Sequence, residues 1–294
     1  MTIADRQDDD RGLRLLRAAS AANQGAARVE AARGLASLVL VVVAVIFAIL
    51  GKPQPVLAAV GFAWTLMSTL LLVPVSKRLS VEAATVQEHF DTYVFTLPWN
   101  KLRATKLDPE RLHELATRYR SGDDRIRRWY PDTDQVSWPF NVLICQRANL
   151  MYDVGLRERW ARIVEALLAC WVGTGVLIGC LAGMTVWNLL LAWFIPSSAA
   201  ILLGFEIIRA QRQTVSERKI ALATVTAELD HLHDDHDADD RDAVAMKCRE
   251  IQDAIFETRK QPNRVPGWLY RLLRTKNEAK MKVAAEELGS APDA

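Results

Sequence analysis

Residues 34–50 read GLASLVLVVVAVIFAIL, a run with no charge and Ser37 as its one hydroxyl. A hydrocarbon core of about 30 Å takes roughly 20 apolar residues in helical form, and this run is close to that length. A second apolar block, about Val56–Val75, follows at once across GKPQP, a short link with two prolines. The pair reads as a helical hairpin that crosses a membrane twice. A third block, about Ile163–Val186, and a fourth, about Asn188–Ile208, repeat the arrangement. Their link around Thr185–Asn188 is uncharged, and Trp187 and Trp193 are placed to act as interfacial aromatics. A cleaved signal peptide does not fit the first block, which starts far from Met1 and has no small-residue cleavage site before the second. Buried helices of a soluble core would carry polar flanks, and these blocks have none.

The remaining composition agrees with this division. Of 294 residues half are hydrophobic and 24% are charged, with the charges lying between the apolar blocks. That mixture excludes a disordered chain, a collagen and a disulfide-rich secreted module. A net charge of +2 is too small for a chain that wraps DNA or RNA. Cys145, Cys170, Cys180 and Cys248 form no CxxC pair, so free thiols and no metal or other cofactor are expected.

Basic residues set the expected orientation. Arg28 and Arg33 precede the first span, Lys77 and Arg78 follow the second, Arg157, Arg159 and Arg162 precede the third, and Arg209, Arg212, Arg218 and Lys219 follow the fourth. The opposite side has only Lys52. Both termini and the long central segment are therefore expected in the cytoplasm. The chain divides into an N-terminal helix (1–33), a first transmembrane hairpin (34–75), a central helical domain (76–162), a second hairpin (163–208) and C-terminal helices (209–294). The fold class is all-α, a polytopic membrane protein with four transmembrane helices and a cytoplasmic helical domain.

Within the soluble parts, Asp108 before Pro109 is an N-cap followed by a first-turn proline. Pro139 opens a helix that runs through CQRANLMYDVGLRERW into the third span. Residues 209–260 read as one or two helices broken at DHLHDDHDADDRD (230–242). A turn follows at Pro262–Gly267, and a last helix ends near Leu288.

The chemistry-bearing patterns are few. His231, His233 and His236 lie in the acidic run, where a solvated turn explains them better than a cation site. No GxSxG, Walker, HExxH or GxGxxG pattern occurs, so an enzyme is not expected. Gly175, Gly179 and Gly183 recur every four residues and line one face of the third span. That face suits close helix approach, either inside the four-helix bundle or between subunits of a homo-oligomer. Glu165 and Glu206 lie near the cytoplasmic end of the spans, within reach of arginines. Gln146, Asn149, Asp153 and Arg157 step by three, four and four and form one polar stripe, with Arg147 beside it. Arginines bind phosphates and amides read base edges, and Trp129 or Tyr130 could stack on a base. On that reading Arg147 and Arg157 hold phosphates and Gln146 and Asn149 hold bases or ribose. The alternative is a solvated face with an Asp153–Arg157 pair and a Trp-Tyr plug in the core.

The segments VQEHFDTYVFTLPWN (86–100), RWYP (128–131), CQRANLMYDVGLRERW (145–160) and EIQDAIFETRKQPNRVPGWLYRLLR (250–274), set around two pairs of spans, resemble the SMODS-associating four-transmembrane effector family. The resemblance implies a membrane effector of bacterial cyclic-oligonucleotide anti-phage signalling, in the inner membrane, served by a nucleotidyltransferase that makes the messenger. It implies that binding of a cyclic oligonucleotide drives assembly that disrupts the bilayer. It supplies no residue-level site. Two other readings stand beside it: a membrane-anchored scaffold without a pore, and a constitutive channel or transporter. The transporter reading lacks a central charge or a broken helix apart from Pro196.

Overall fold

The structure is a computed structural model, and it describes residues 1–50, 55–234, 241–262, 264–270 and 272. Helices α1 (Ile3–Asp8), α2 (Asp10–Ile49), α3 (Pro55–Met67), α4 (Val73–Phe95), α5 (Pro109–Arg118), α6 (Phe140–Leu181), α7 (Val186–Leu189), α8 (Ile195–Asp234) and α9 (Arg241–Arg259) follow in order, with no strand among the described residues. A π-helical turn, Ser68–Leu72, joins α3 to α4, and another, Leu190–Phe194, joins α7 to α8. The GKPQP link is outside the described residues except for Pro55, and so is the expected helix end near Leu288.

Four helical rods are long and apolar enough to cross a membrane: Asp10–Phe47, Ala59–Phe95, Phe140–Leu181 and Val186–His231. In hydrocarbon a backbone must satisfy its own hydrogen bonds, which lets the Val-rich run of α2 stay helical despite its β-branched residues. Only 11%, 6%, 17% and 17% of the four apolar windows are buried inside the chain. Their outer faces therefore need lipid or other protein around them. Each rod continues beyond its apolar stretch as an unbroken polar helix, and all four polar halves lie at the same end.

There they form one bundle. Leu13 and Leu16 of α2, Phe90 and Val94 of α4, Leu143 and Leu150 of α6, Val225 of α8 and Ile251 and Ile255 of α9 share a single core. Thus the described residues of the segments 1–33, 76–162 and 209–259 share one core. Helix α5 lies against α2 and α4 through Leu115, beside Ala18, Ala22 and Ala83, and Arg111 pairs with Glu82 at 2.6 Å. Asp108 stands at the N-cap of α5, but its side chain makes no capping bond. Pro139 caps α6, which runs without a break to Leu181.

The glycine spacing resolves differently from its sequence reading. A Cβ on Gly175 would meet Trp193 Nε1 at 2.4 Å, and one on Gly179 would meet Leu189 at 2.9 Å. Both glycines therefore face the fourth span of the same chain. Gly183 is not on the helix. It sits at φ +60°, and the bonds Met184 N to Gly179 O (2.9 Å) and Gly183 N to Cys180 O (3.2 Å) form a Schellman end. Trp193 is likewise not interfacial: it is 6% exposed and packs on Trp171 with ring centroids 4.7 Å apart. Trp187 is exposed, as expected of a rim residue. Glu206 pairs with Arg33 at 3.6 Å and Glu165 with Arg212 at 2.6 Å.

Gly175→Ala drives a methyl into the Trp193 ring, which is itself held by Trp171. We expect a loss of about 1–3 kcal/mol and an altered tryptophan emission spectrum in detergent. Wild-type emission and melting would place the third and fourth spans further apart.

Candidate functional site

A cavity of about 250 Å³ opens in the polar half. It is lined by residues from all four membrane-crossing rods: Asn23 of α2, Gln87 of α4, Asn149, Asp153 and Arg157 of α6, and Arg218 of α8. The loop before α6 contributes Arg125, Arg127, Arg128, Trp129 and Tyr130, and α9 with the segment after it adds Arg259, Gln261, Arg264 and Tyr270. Seven arginines thus face a space whose one lining carboxylate is Asp153. Four aromatic rings and four side-chain amides complete the walls.

Asp153 and Asp91 organise the deeper arginines. Asp153 accepts from Arg157 and pairs with Arg218 at 3.1 Å. Burial works against its charge, but Arg157 and Arg218 outweigh that and hold the carboxyl below its usual range. Arg157 also donates to Gln211 at 2.9 Å, tying α6 to α8. Asp91, fully buried behind the cavity, accepts from Arg259, from the Tyr130 hydroxyl at 2.7 Å and from Gln252 at 2.9 Å. Arg264 donates to Asn23, and its backbone N–H donates to Glu30 at 2.8 Å. Burial pushes Arg218 and Arg264 down, each to about 10, so both stay cationic at neutral pH.

The rim differs from the floor. Arg125, Arg127 and Arg128 are exposed, and no side-chain ion pair engages them among the described residues. Arg128 is held at φ +52°, and its N–H donates to Asp8 at 3.2 Å. Trp129 beside it is half-buried. Tyr130 is fixed by Gln7, whose carbonyl accepts from the Tyr130 N–H at 2.8 Å. The indole and the Tyr152–Tyr270 ring pair, 5.5 Å apart, offer flat apolar faces beside the guanidinium groups.

Of the residues singled out from sequence, Trp129, Tyr130, Asn149, Asp153 and Arg157 line this cavity, while Gln146 and Arg147 do not. Gln146 is fully buried and donates to the Cys248 carbonyl at 2.8 Å and to Gln252 at 3.2 Å, so it fastens α6 to α9. The sequence reading does not single out Arg218 or the Arg125–Arg128 cluster as site residues, and in it the segment from Arg259 to Trp268 stands only as a second place to look, after Trp99 and Asn100. These arginines lie in three separate stretches and share no periodicity. No group of three or more metal-ligating side chains occurs among the described residues. His233 and His236 have no described side chains.

The sequence profile of the SMODS-associating 4TM effector domain matches residues 1–288. The chain belongs to that family. It is a multi-pass membrane protein. A protein of Bacillus cereus (strain VD146), named a probable CBASS effector molecule, is 23% identical over 202 residues, which is 68% of this chain and 66% of that protein. No solved structure matches it.

Asp153→Asn would strand Arg157 and Arg218 in a buried site. Leaving such charges uncompensated costs about 3–5 kcal/mol. Unfolding of the polar half should shift accordingly, and adding Arg218→Met should recover most of the loss. Equal stability of Asp153→Asn and wild type would remove this carboxylate from its organising role.

Proposed function

We propose that the protein is a membrane effector of bacterial anti-phage signalling that binds a cyclic oligonucleotide in the arginine-lined cavity and, in response, oligomerises and permeabilises the inner membrane. It acts without enzymatic chemistry. The observation that carries this reading is the cavity's composition: seven guanidinium groups against one carboxylate, interleaved with aromatic rings and amides. A cyclic oligonucleotide has a negative phosphate at every linkage and bases that stack. Paired guanidinium bonds suit the first and rings suit the second. The family membership and the name of the B. cereus relative point the same way.

The geometry also suggests how binding reaches the bilayer. Small-molecule pockets run from about 300 to 1,000 Å³, and this one holds about 250 Å³. A cyclic oligonucleotide enters only if the walls part. The extensions of the four spans form part of those walls, so widening the cavity on their side moves the spans themselves. The ligand favours the widened form because only that form binds it fully. With Gly175 and Gly179 occupied inside the subunit, the exposed outer faces of the spans supply the contacts between copies.

The exposed guanidinium groups of the rim give the cleanest test. Arg127→Ala and Arg128→Ala remove phosphate contacts without disturbing an internal pair. Each should weaken binding of cyclic oligonucleotides to the full chain by about ten- to a hundredfold, as loss of a charge-assisted bond of about 1.5–3 kcal/mol requires. Melting should be unchanged, and dye release from liposomes should fall in step with binding. Wild-type affinity in both variants, or leakage that ignores the ligand, overturns the reading.

The cytoplasmic placement of both termini rests on the basic flanks of the spans. In a Cys170→Ser, Cys180→Ser background, Ala182→Cys should react with an impermeant maleimide added outside spheroplasts, and Asp132→Cys should not. The opposite pattern inverts the topology.

A further inference from the structure

We propose that the protein holds an anionic glycerophospholipid among spans one, two and four, with an acyl chain in a cleft between them and the lipid phosphate on Arg33 and Arg28. The site adjoins the arginine-lined cavity through Arg264 but is centred on other residues, and the proposal does not depend on what that cavity binds. A cleft of about 570 Å³ runs along α2 from Arg33 to Phe47, walled by the second span and by α8. Fourteen residues of helix, at about 1.5 Å each, give roughly 21 Å, more than the half-thickness of about 15 Å that one leaflet's chains fill. Three of the five hydroxyls on its walls are already used: Ser37 donates to the Arg33 carbonyl and accepts from Trp64 Nε1 at 3.0 Å, Thr65 donates to Gly61, and Ser198 donates to Ile195. Apart from Ser68 and Thr69 on the second span, the walls are mainly apolar, with Leu40, Ala44, Phe47, Phe62 and Leu202 offering a lining for an alkyl chain.

The cleft ends on a cation with one loose ion-pair partner. The Arg33 side chain is 12% exposed, and its ion pair with Glu206 spans 3.6 Å, beyond hydrogen-bond length. Its guanidinium makes no hydrogen bond among the described residues, although it carries five donors. Glu206 is 55% exposed and is a weak counter-charge. A charge so buried at the edge of an apolar region is stabilised when something supplies acceptor oxygens.

A second cavity, about 450 Å³, adjoins the first through Arg33 and Leu203 and opens toward the polar half. Arg28, exposed and unpaired among the described residues, lines it. So do Trp160 and Trp268, which meet edge to face at 6.2 Å. Glu30 also lines it, but accepts from the Ser76 hydroxyl and the Arg264 N–H at 2.8 Å each. Two arginines with free donors, two indoles at the apolar boundary and an alkyl-lined cleft leading away from them match a phosphate diester on a diacyl anchor. A free anion would leave the cleft unfilled, a diacylglycerol would leave Arg33 unbonded, and a zwitterionic phospholipid would bring a second cation beside two arginines.

Native mass spectrometry of the full chain in detergent tests this with four probes: dioleoylphosphatidylglycerol, dioleoylphosphatidylcholine, dioleoylglycerol and inorganic phosphate. The phosphatidylglycerol should stay bound more tightly than the other two lipids, and inorganic phosphate should not displace it. Arg33→Gln and Arg28→Gln should each weaken that binding by about tenfold, and Ala44→Phe, which fills the cleft without altering charge, should weaken it likewise. Thermal unfolding of each variant shows that the fold is kept. If Arg33→Gln does not fold, the exposed Arg28 and the cleft variant still decide. Wild-type retention of phosphatidylglycerol by Arg28→Gln and Ala44→Phe, equal binding of dioleoylglycerol, equal binding of the phosphatidylcholine, or displacement by inorganic phosphate overturns the proposal.

Discussion

Guanidinium groups that leave water need anionic partners, and two carboxylates meet that need for the floor of the cavity. Asp153 joins α6 to α8 through Arg157 and Arg218. Asp91 joins α4 to α9 and to the loop before α6 through Arg259, Gln252 and Tyr130. Between them they fix four helices and one loop around a space that would otherwise repel itself. Such pairs add little net stability compared with an apolar core of the same shape. What they provide here is a set of cations held in place and aimed at one volume, with the outermost three making no side-chain ion pair among the described residues.

That volume is continuous with the membrane in a mechanical sense. The helices that present Asn23, Gln87, Asn149 and Arg218 are the same helices that form the four spans. Two of the rods carry π-helical turns, Ser68–Leu72 and Leu190–Phe194, of the kind often found where a helix must adapt. The spans are thinly packed on one another, whereas the polar bundle has a full core. Stiffness is thus concentrated at the polar end, and adaptability at the apolar end.

The spans could be read from sequence because hydrocarbon imposes length and composition together, and runs such as 34–50 meet both. The stripe Asn149, Asp153, Arg157 was legible because a helix repeats its face every three to four residues. Gln146 continues that face, yet it falls a turn too early, where α9 crosses and takes its amide. Arg147 is turned away by its own step along the helix. The glycine repeat left two readings open, and placed Gly183 on the helix, for a similar reason. Periodicity marks a face but not what covers it, and it cannot show where a helix stops, as it does at Leu181 before Gly183. Arg218 was out of reach, and Arg259 and Arg264 were only a fallback, because the tertiary fold alone gathers them with the stripe.

The 42-residue length of α6 carries a consequence of scale. From Asp153 to Leu181 the rod spans about 42 Å at 1.5 Å per residue, so a tilt of about 10° at the cavity carries its far end sideways by about 7 Å. A displacement of that size exceeds the diameter of a water molecule and that of the cylinder on which a helix carries its Cα atoms, about 4.6 Å. A rearrangement small enough to be driven by one ligand's contacts is thereby magnified, by leverage alone, to the dimensions on which a bilayer seals or leaks.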